Sequence, residues 1–206
     1  PAFGVTRSAI HFATVVTEGV EPEKRRPTLE VMKAYFHWKN ADTRGLLERP
    51  GHAAFYDADS YGAVREWVLH VWELKGTAET WPMQLPAYYR KQPVFALLGG
   101  VGEDSWRSVH EFCEQQEVPC IFPNTDLPVL SSSGAYSIYF SAGVAVEAAS
   151  LARYLAQTAH TRSNRIVQVY RDDDRGLVLA GTLRSSLQEQ GVADLLDCVI
   201  HRARKL

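Results

Sequence analysis

The densest group of residues able to hold a ligand is Gly99-Gly100-Val101-Gly102-Glu103-Asp104-Ser105. Glycines let a backbone approach a bound group closely, and N–H groups entering a helix suit a carboxylate or another acceptor. The Ser105 hydroxyl adds a donor. The run does not complete G-x-G-x-x-G, because position 105 is Ser, and it lacks the G-K-[ST] ending of a phosphate loop. A tight turn with Asp104 capping the next helix is the competing use of the same residues. A second group, Arg171-Asp172-Asp173-Asp174-Arg175-Gly176, either pairs its charges locally or presents them to a ligand.

Nucleophile and metal chemistry find little support. There is no G-x-S-x-G, and the histidines at 11, 37, 52, 70, 110, 160 and 201 form neither H-E-x-x-H nor H-x-H. His110 and Cys113 stand at i, i+3, but two ligands on one helical turn do not make a site. No resident metal or cofactor is expected. Cys113, Cys120 and Cys198 are odd in number and show no C-x-x-C, so Cys113 and Cys120 are read as small buried hydrophobes, with a Cys113–Cys120 bridge across a helix–strand connection as the alternative.

The elements that position these groups follow from hydrophobic pattern. Residues 10–16, 52–56, 94–98, 118–122, 137–140, 165–170 and 198–201 read as strands. Leu29, Met32 and Phe36 mark a helix opened by Pro27-Thr28. Val64, Trp67, Val68, Val71 and Trp72 mark one face of a second helix, and residues 76–92 an irregular excursion with one short helix. Further helices carry Trp106-Val109-Phe112, Val144-Ala148-Leu151-Leu155 and Leu177-Ala180-Leu183-Leu187. Trp106 continues its stripe and is read as core, with cover for an apolar or cationic ligand portion as the alternative. The repeated β-α order predicts an α/β fold with a doubly wound parallel sheet. Ligands in such sheets lie beyond the carboxyl ends of the strands. The loops of interest are therefore 17–22, 57–62, 99–105, 123–127 and 171–176.

Composition narrows the partners. Twenty-two Lys and Arg against 24 Asp and Glu leave no basic excess for a phosphate backbone, so nucleic-acid binding is not expected. The uncharged stretch 127–146 contains Pro128 and reads as loop, strand and helix start, so no direct membrane insertion is expected. The run Glu23-Lys24-Arg25-Arg26 reads as solvated surface.

Two matched stretches carry a family resemblance. Val94–Gly102, then a helix, then Val118-Pro119-Cys120-Ile121-Phe122-Pro123-Asn124-Thr125, resembles the core signature of type I periplasmic binding proteins. These are the substrate-binding components of branched-chain amino-acid and amide ABC transporters. Tyr139-Phe140-Ser141, the helix ending in Leu151-Ala152-Arg153-Tyr154-Leu155, and Arg165–Asp173 resemble the first segment of that family's second lobe. With Phe55-Tyr56-Asp57 the matches span about residues 50–190. The family is usually well over three hundred residues long, so the chain corresponds to a first lobe, 1–135, and the beginning of a second, 136–206.

The resemblance implies a non-catalytic protein that captures a small ligand between its lobes, hands it to an ABC permease and works in the periplasm. The ligand-binding residues it implies are Thr17, Glu18, Gly100, Gly102, Glu103, Asp104, Ser105, Asn124 and Thr125 from lobe one, with Asp173 and Arg175 closing from lobe two. Family members often carry an aromatic where Arg175 stands, so the closing contact here is charged. Acidic residues crowd the expected rim, which favours an amino acid, amide, urea-like compound or amine over a dicarboxylate. Two other readings remain: a ligand-sensing domain of a regulator or receptor with the same fold, and a nucleotide- or phosphate-using α/β enzyme.

Overall fold

The computed structural model describes residues 3–48, 65–102, 105–130, 134–159, 166–192 and 194–201. Strand β1, Ala9–Thr17, is the axis of the first sheet. Its β-branched and aromatic residues suit a strand covered on both faces, and Phe12 to Thr17 are all buried. Helix α1, Pro22–Glu48, covers one face. There Phe12 packs with Phe36 and Ala96. Ala13 and Val15 point the other way, into the larger core built around Trp72, Leu74, Trp81 and Leu85. Alternation along β1 therefore divides the two helical layers.

Strand β2, Glu66–Leu74, pairs in parallel with β1 over nine residues, from Ala9↔Glu66 to Thr17↔Leu74. This corrects the expected helix at 64–72. The apolar residues at 67, 68, 71 and 72 imitate a helical stripe because both faces of the strand are covered. Trp67 and Leu69 pack on the α1 side, and Trp72 and Leu74 on the other. Asn40 of α1 accepts from the Trp67 N–H and donates to the Trp67 carbonyl, both at 2.8 Å. Arg25 of α1 pairs with Glu73 of β2. The expected strand at 52–56 and loop at 57–62 lie outside the described residues.

The expected excursion at 76–92 is more regular than its prolines suggested. A 3₁₀ turn, Ala78–Thr80, leads directly into α2, Trp81–Lys91. Pro82 falls at the start of α2, where no N–H is missed. Trp81 and Leu85 anchor this helix in the core. Similarly, α1 begins at Pro22, upstream of the expected start, and carries Pro27 inside it.

On the other side of β1 run β3, Ala96–Leu98, and β4, Val101–Gly102. These two are one strand interrupted at Gly99 and Gly100, whose φ values of +59° and +101° leave the β region. The next strand breaks at the same level into β5, Cys120–Ile121, and β6, Asn124–Thr125. Phe122, at that break, has φ 53°. Helix α3, Arg107–Gln116, connects them and buries Val109, Phe112 and Cys113. Cys113 and Cys120 are free and buried, as expected, while Cys198 is exposed. Strand β7, Ser137–Ile138, pairs with β5. With β3/β4 and β5/β6 each counted as one strand, the parallel order reads β2, β1, β3/β4, β5/β6, β7.

A second sheet and core follow. Helix α4, Val144–Ala159, packs on α5, Asp174–Glu189, through Ala148, Ala152, Ala156, Leu183 and Leu187. Strands β8, Ile166–Arg171, and β9, Leu195–Ile200, pair in parallel. Among the described residues they pair only with each other. Gln168 and Leu195 are buried, while Val167, Val169, Leu196 and Ile200 are exposed. The doubly wound α/β architecture expected from the sequence is thus present.

One titratable pair lies on the core face of the first sheet. His11 Nδ1 and His70 Nε2 are 3.0 Å apart on adjacent strands. Burial, then the neighbouring His11, hold the His70 pKa below its ordinary 6.5. The folded chain therefore resists a proton that the unfolded chain accepts. Stability is expected to be level above pH 6.5 and to fall as the pH drops from there toward the lowered folded value. Urea unfolding at pH 8 and pH 5 should show this loss, and His70→Gln should reduce it. An equal loss in the variant would remove His70 as its source.

Candidate functional site

Segments that follow β1, β2, β4 and β6 line a cleft of about 520 Å³. One wall comes from elements attached to the first sheet: Lys24 of α1, Thr77, Ala78 and Glu79 around the 3₁₀ turn, Ser105, and Asp126-Leu127 after β6. The facing wall is Asp173, Asp174 and Arg175 at the start of α5. An adjoining apolar recess of about 450 Å³ shares Ser105, Asp126, Leu127 and Asp174 and is lined further by Val129, Leu130 and Leu177.

The sequence-derived candidates divide sharply in this geometry. Ser105, Asp173 and Arg175 line the cleft. Gly100 and Gly102 are buried and packed against Trp106. A Cβ at Gly100 would lie 2.9 Å from Trp106 Cη2, and one at Gly102 2.8 Å from Trp106 Cζ3. Trp106 is fully buried, in keeping with its core reading. These glycines therefore admit an indole beneath the loop. Thr17 is buried in the same place, with its hydroxyl lacking a hydrogen-bond partner among the described residues. Glu18 accepts the Gly76 N–H at 2.7 Å, next to the 77–79 wall, and does not itself line the cleft. Thr125 uses its hydroxyl to accept the Leu127 N–H at 3.1 Å, and Asn124 is exposed. Glu103 and Asp104 lie outside the described residues.

The cleft also gains residues that the sequence did not nominate as ligand contacts. Thr77 and Glu79 were hidden in a stretch read as irregular. Lys24 sat in a charge run read as solvated surface. Asp126 and Asp174 stood out only as rim charges.

Each acidic group is held differently. Asp173 caps α5 by accepting the Gly176 N–H at 2.9 Å. Gly176 suits that turn because a Cβ there would sit 2.0 Å from the Arg171 carbonyl oxygen. The Thr77 hydroxyl beside Glu79 holds its carboxyl below the usual carboxylate range. Asp172 pairs with His201 at 2.9 Å rather than with its neighbouring arginines. Arg175 reaches across the cleft to Asp126, with Nη1 and Oδ2 2.8 Å apart. This overturns the local pairing weighed for the 171–175 run. Four carboxylates and two cations line the cleft, so its net charge is negative. Such a field repels simple dicarboxylates and favours neutral or cationic groups.

Among the described residues no group of three or more His, Cys, Asp or Glu could hold a metal ion. No described helix is long and apolar enough to cross a membrane.

No protein-family model matches the chain, and no curated protein matches it by sequence. Solved structures do match its fold. An ABC transporter substrate-binding protein from Desulfitobacterium hafniense in complex with Leu aligns over 96% of this chain and 52% of its own, with TM-score 0.58 and 15% identity. A solute-binding protein of an ABC transporter from Rhodopseudomonas palustris BisB5, in complex with 3,4-dihydroxybenzoic acid, covers 94% of this chain and 47% of its own, with TM-score 0.58 and 8% identity. A possible leucine/isoleucine/valine-binding protein from Rhodopirellula baltica SH 1 covers 95% and 49%, with TM-score 0.57 and 15% identity. The chain therefore shares the fold of these ABC transporter substrate-binding proteins, as the sequence resemblance implied. The chain spans about half the length of these structures.

The junction that shapes the cleft yields a prediction. The Asp126 carbonyl accepts the Val144 N–H at 3.0 Å where α4 begins. Gly143 precedes it with φ +62°, and a Cβ there would lie 2.2 Å from the Asp126 carbonyl oxygen. Gly143→Ala combines left-handed strain with a backbone clash, at an expected cost of about 2–4 kcal/mol. Urea unfolding measures it, and a change within about 0.5 kcal/mol, typical of a neutral surface site, would refute the close approach.

Proposed function

We propose that the chain is a non-catalytic solute-binding module that captures a small polar ligand in this cleft for ABC-type transport. The observation that carries the reading is the cleft itself. Polar and charged groups from the ends of one parallel sheet face the first turn of a helix packed on the other. The two lobes are residues 1–135 and 136–206, with β7 adding to the first lobe's sheet just past that boundary. Movement of one lobe against the other opens and closes the cleft around the ligand. Ser105 supplies a hydroxyl, and Asp173, Asp174 and Arg175 meet the ligand from the second lobe.

The cleft's excess of carboxylates supports a neutral or cationic ligand: an amino acid presented through its ammonium group, an amide, a urea-like compound or an amine. The solved relatives in fold support small-molecule capture in general, since one is in complex with Leu and another with 3,4-dihydroxybenzoic acid. Delivery to an ABC permease and a periplasmic location are the corresponding partner and place.

Thermal unfolding against leucine, leucinamide, urea, ethanolamine, glutarate and AMP tests the reading. A ligand at about 100 times its Kd adds about 2.7 kcal/mol. At this chain length that raises Tm by roughly 5–10 °C. The expected hit is the amino acid, amide or amine, with no response to glutarate. A shift with AMP alone would replace solute binding by a phosphate-using activity. A strong shift with glutarate would overturn the charge assignment, and silence across the panel would count against the ligand class.

A further inference from the structure

We propose that Asp126 sets the cleft's selectivity by occupying the Arg175 guanidinium, so that anionic ligands are refused the second-lobe wall's cation, whose planar fork would otherwise receive them. The inference rests on the solute-binding reading and assigns a residue role within it. Arg175 is the cleft's cation on the second-lobe wall, and its Nη1 lies 2.8 Å from Asp126 Oδ2. An arginine aimed into a ligand cleft ordinarily recruits a carboxylate, for which its planar fork is well matched. Here the protein supplies that carboxylate itself.

Both ends of the pair are on constrained backbone. Asp126 is fixed by the bond from the Val144 N–H and by the close approach of Gly143. Arg175 lies inside the turn closed by the Asp173 cap, one residue before the closely packed Gly176. The two side chains are about half exposed, at 52% and 49%. An ion pair so wetted contributes little to folding. Its larger effect is competitive. A tethered carboxylate acts at an effective concentration in the millimolar range or above, which a dilute free carboxylate cannot match. A ligand ammonium or amide does not compete for the guanidinium, and the cleft's excess of carboxylates favours it.

The test follows the guanidinium directly. In the ¹⁵N-labelled full chain, the Arg175 Nε–Hε signal is assigned by its loss in Arg175→Lys. It is then followed while sodium acetate replaces sodium chloride at constant ionic strength. Asp126→Asn keeps the backbone bond to Val144 and removes the competing charge. The Arg175 signal of this variant should respond at an acetate concentration about two- to fivefold below that of the wild type, the range that a wetted ion pair can impose. Asp126→Glu, which keeps the charge, should stay close to the wild type, and Asp126→Ser serves if the Asn variant does not fold. Equal acetate titrations in the wild type and the neutral variant would overturn the proposal. Because acetate is the probe, the two readings fail separately. A gain of that size without any hit in the wild-type ligand panel would count against the proposed ligand class and keep the role of Asp126. Panel hits with unchanged acetate titrations would do the reverse.

Discussion

Everything in the larger half of the molecule depends on the parallel pairing of β1. It is hydrogen-bonded to β2 on one side and to β3 and β4 on the other, and its last six residues are buried. Parallel strands must run in one direction, so their carboxyl ends share one edge of the sheet. The strand order reverses beside β1, and the crevice outside such a reversal is where open α/β sheets receive ligands. The cleft is a consequence of this direction: Lys24, the 77–79 turn, Ser105 and Asp126 all lie beyond strands that end together.

The second half contributes less mass and more control. Its α4–α5 pair is held by small alanines and two leucines, which brings the helices close and fixes where the first turn of α5 falls. That turn presents Asp173, Asp174 and Arg175 to the first half. The connection runs through Asp126, whose backbone receives the start of α4 and whose side chain receives α5. One residue thus ties the end of β6 to both helices of the smaller unit. The solved structures that share this fold are about twice as long as the chain, and within the chain the first turn of α5 supplies the facing wall of the cleft.

Much of the fold was legible in the sequence, because apolar runs such as Val94–Leu98 and Arg165–Tyr170 have strand length and sit between turn formers. β2 was not legible by period. Its tryptophans face opposite layers, and a strand covered on both faces has no alternation to read. The site was only partly legible. Ser105, Asp173 and Arg175 follow from being in loops at strand ends. Gly100 and Gly102 are in the right loop, yet their missing side chains make room for Trp106, a distinction that needs the packing. The Asp126–Arg175 pair joins residues far apart in sequence, and no local spacing announces it.

The bare outer side of β8 and β9 has a consequence for handling the protein. Among the described residues, Val167, Val169, Leu196 and Ile200 form an uncovered apolar surface, and the flank of β8 beside it pairs with no further strand. Natural sheets blunt such flanks with lysine, proline or a bulge, and β8, Ile166-Val167-Gln168-Val169-Tyr170-Arg171, has neither lysine nor proline. The chain by itself therefore carries a built-in adhesive strip. Its colloidal behaviour will be governed by concentration and salt at that strip more than by its overall charge, which is close to neutral.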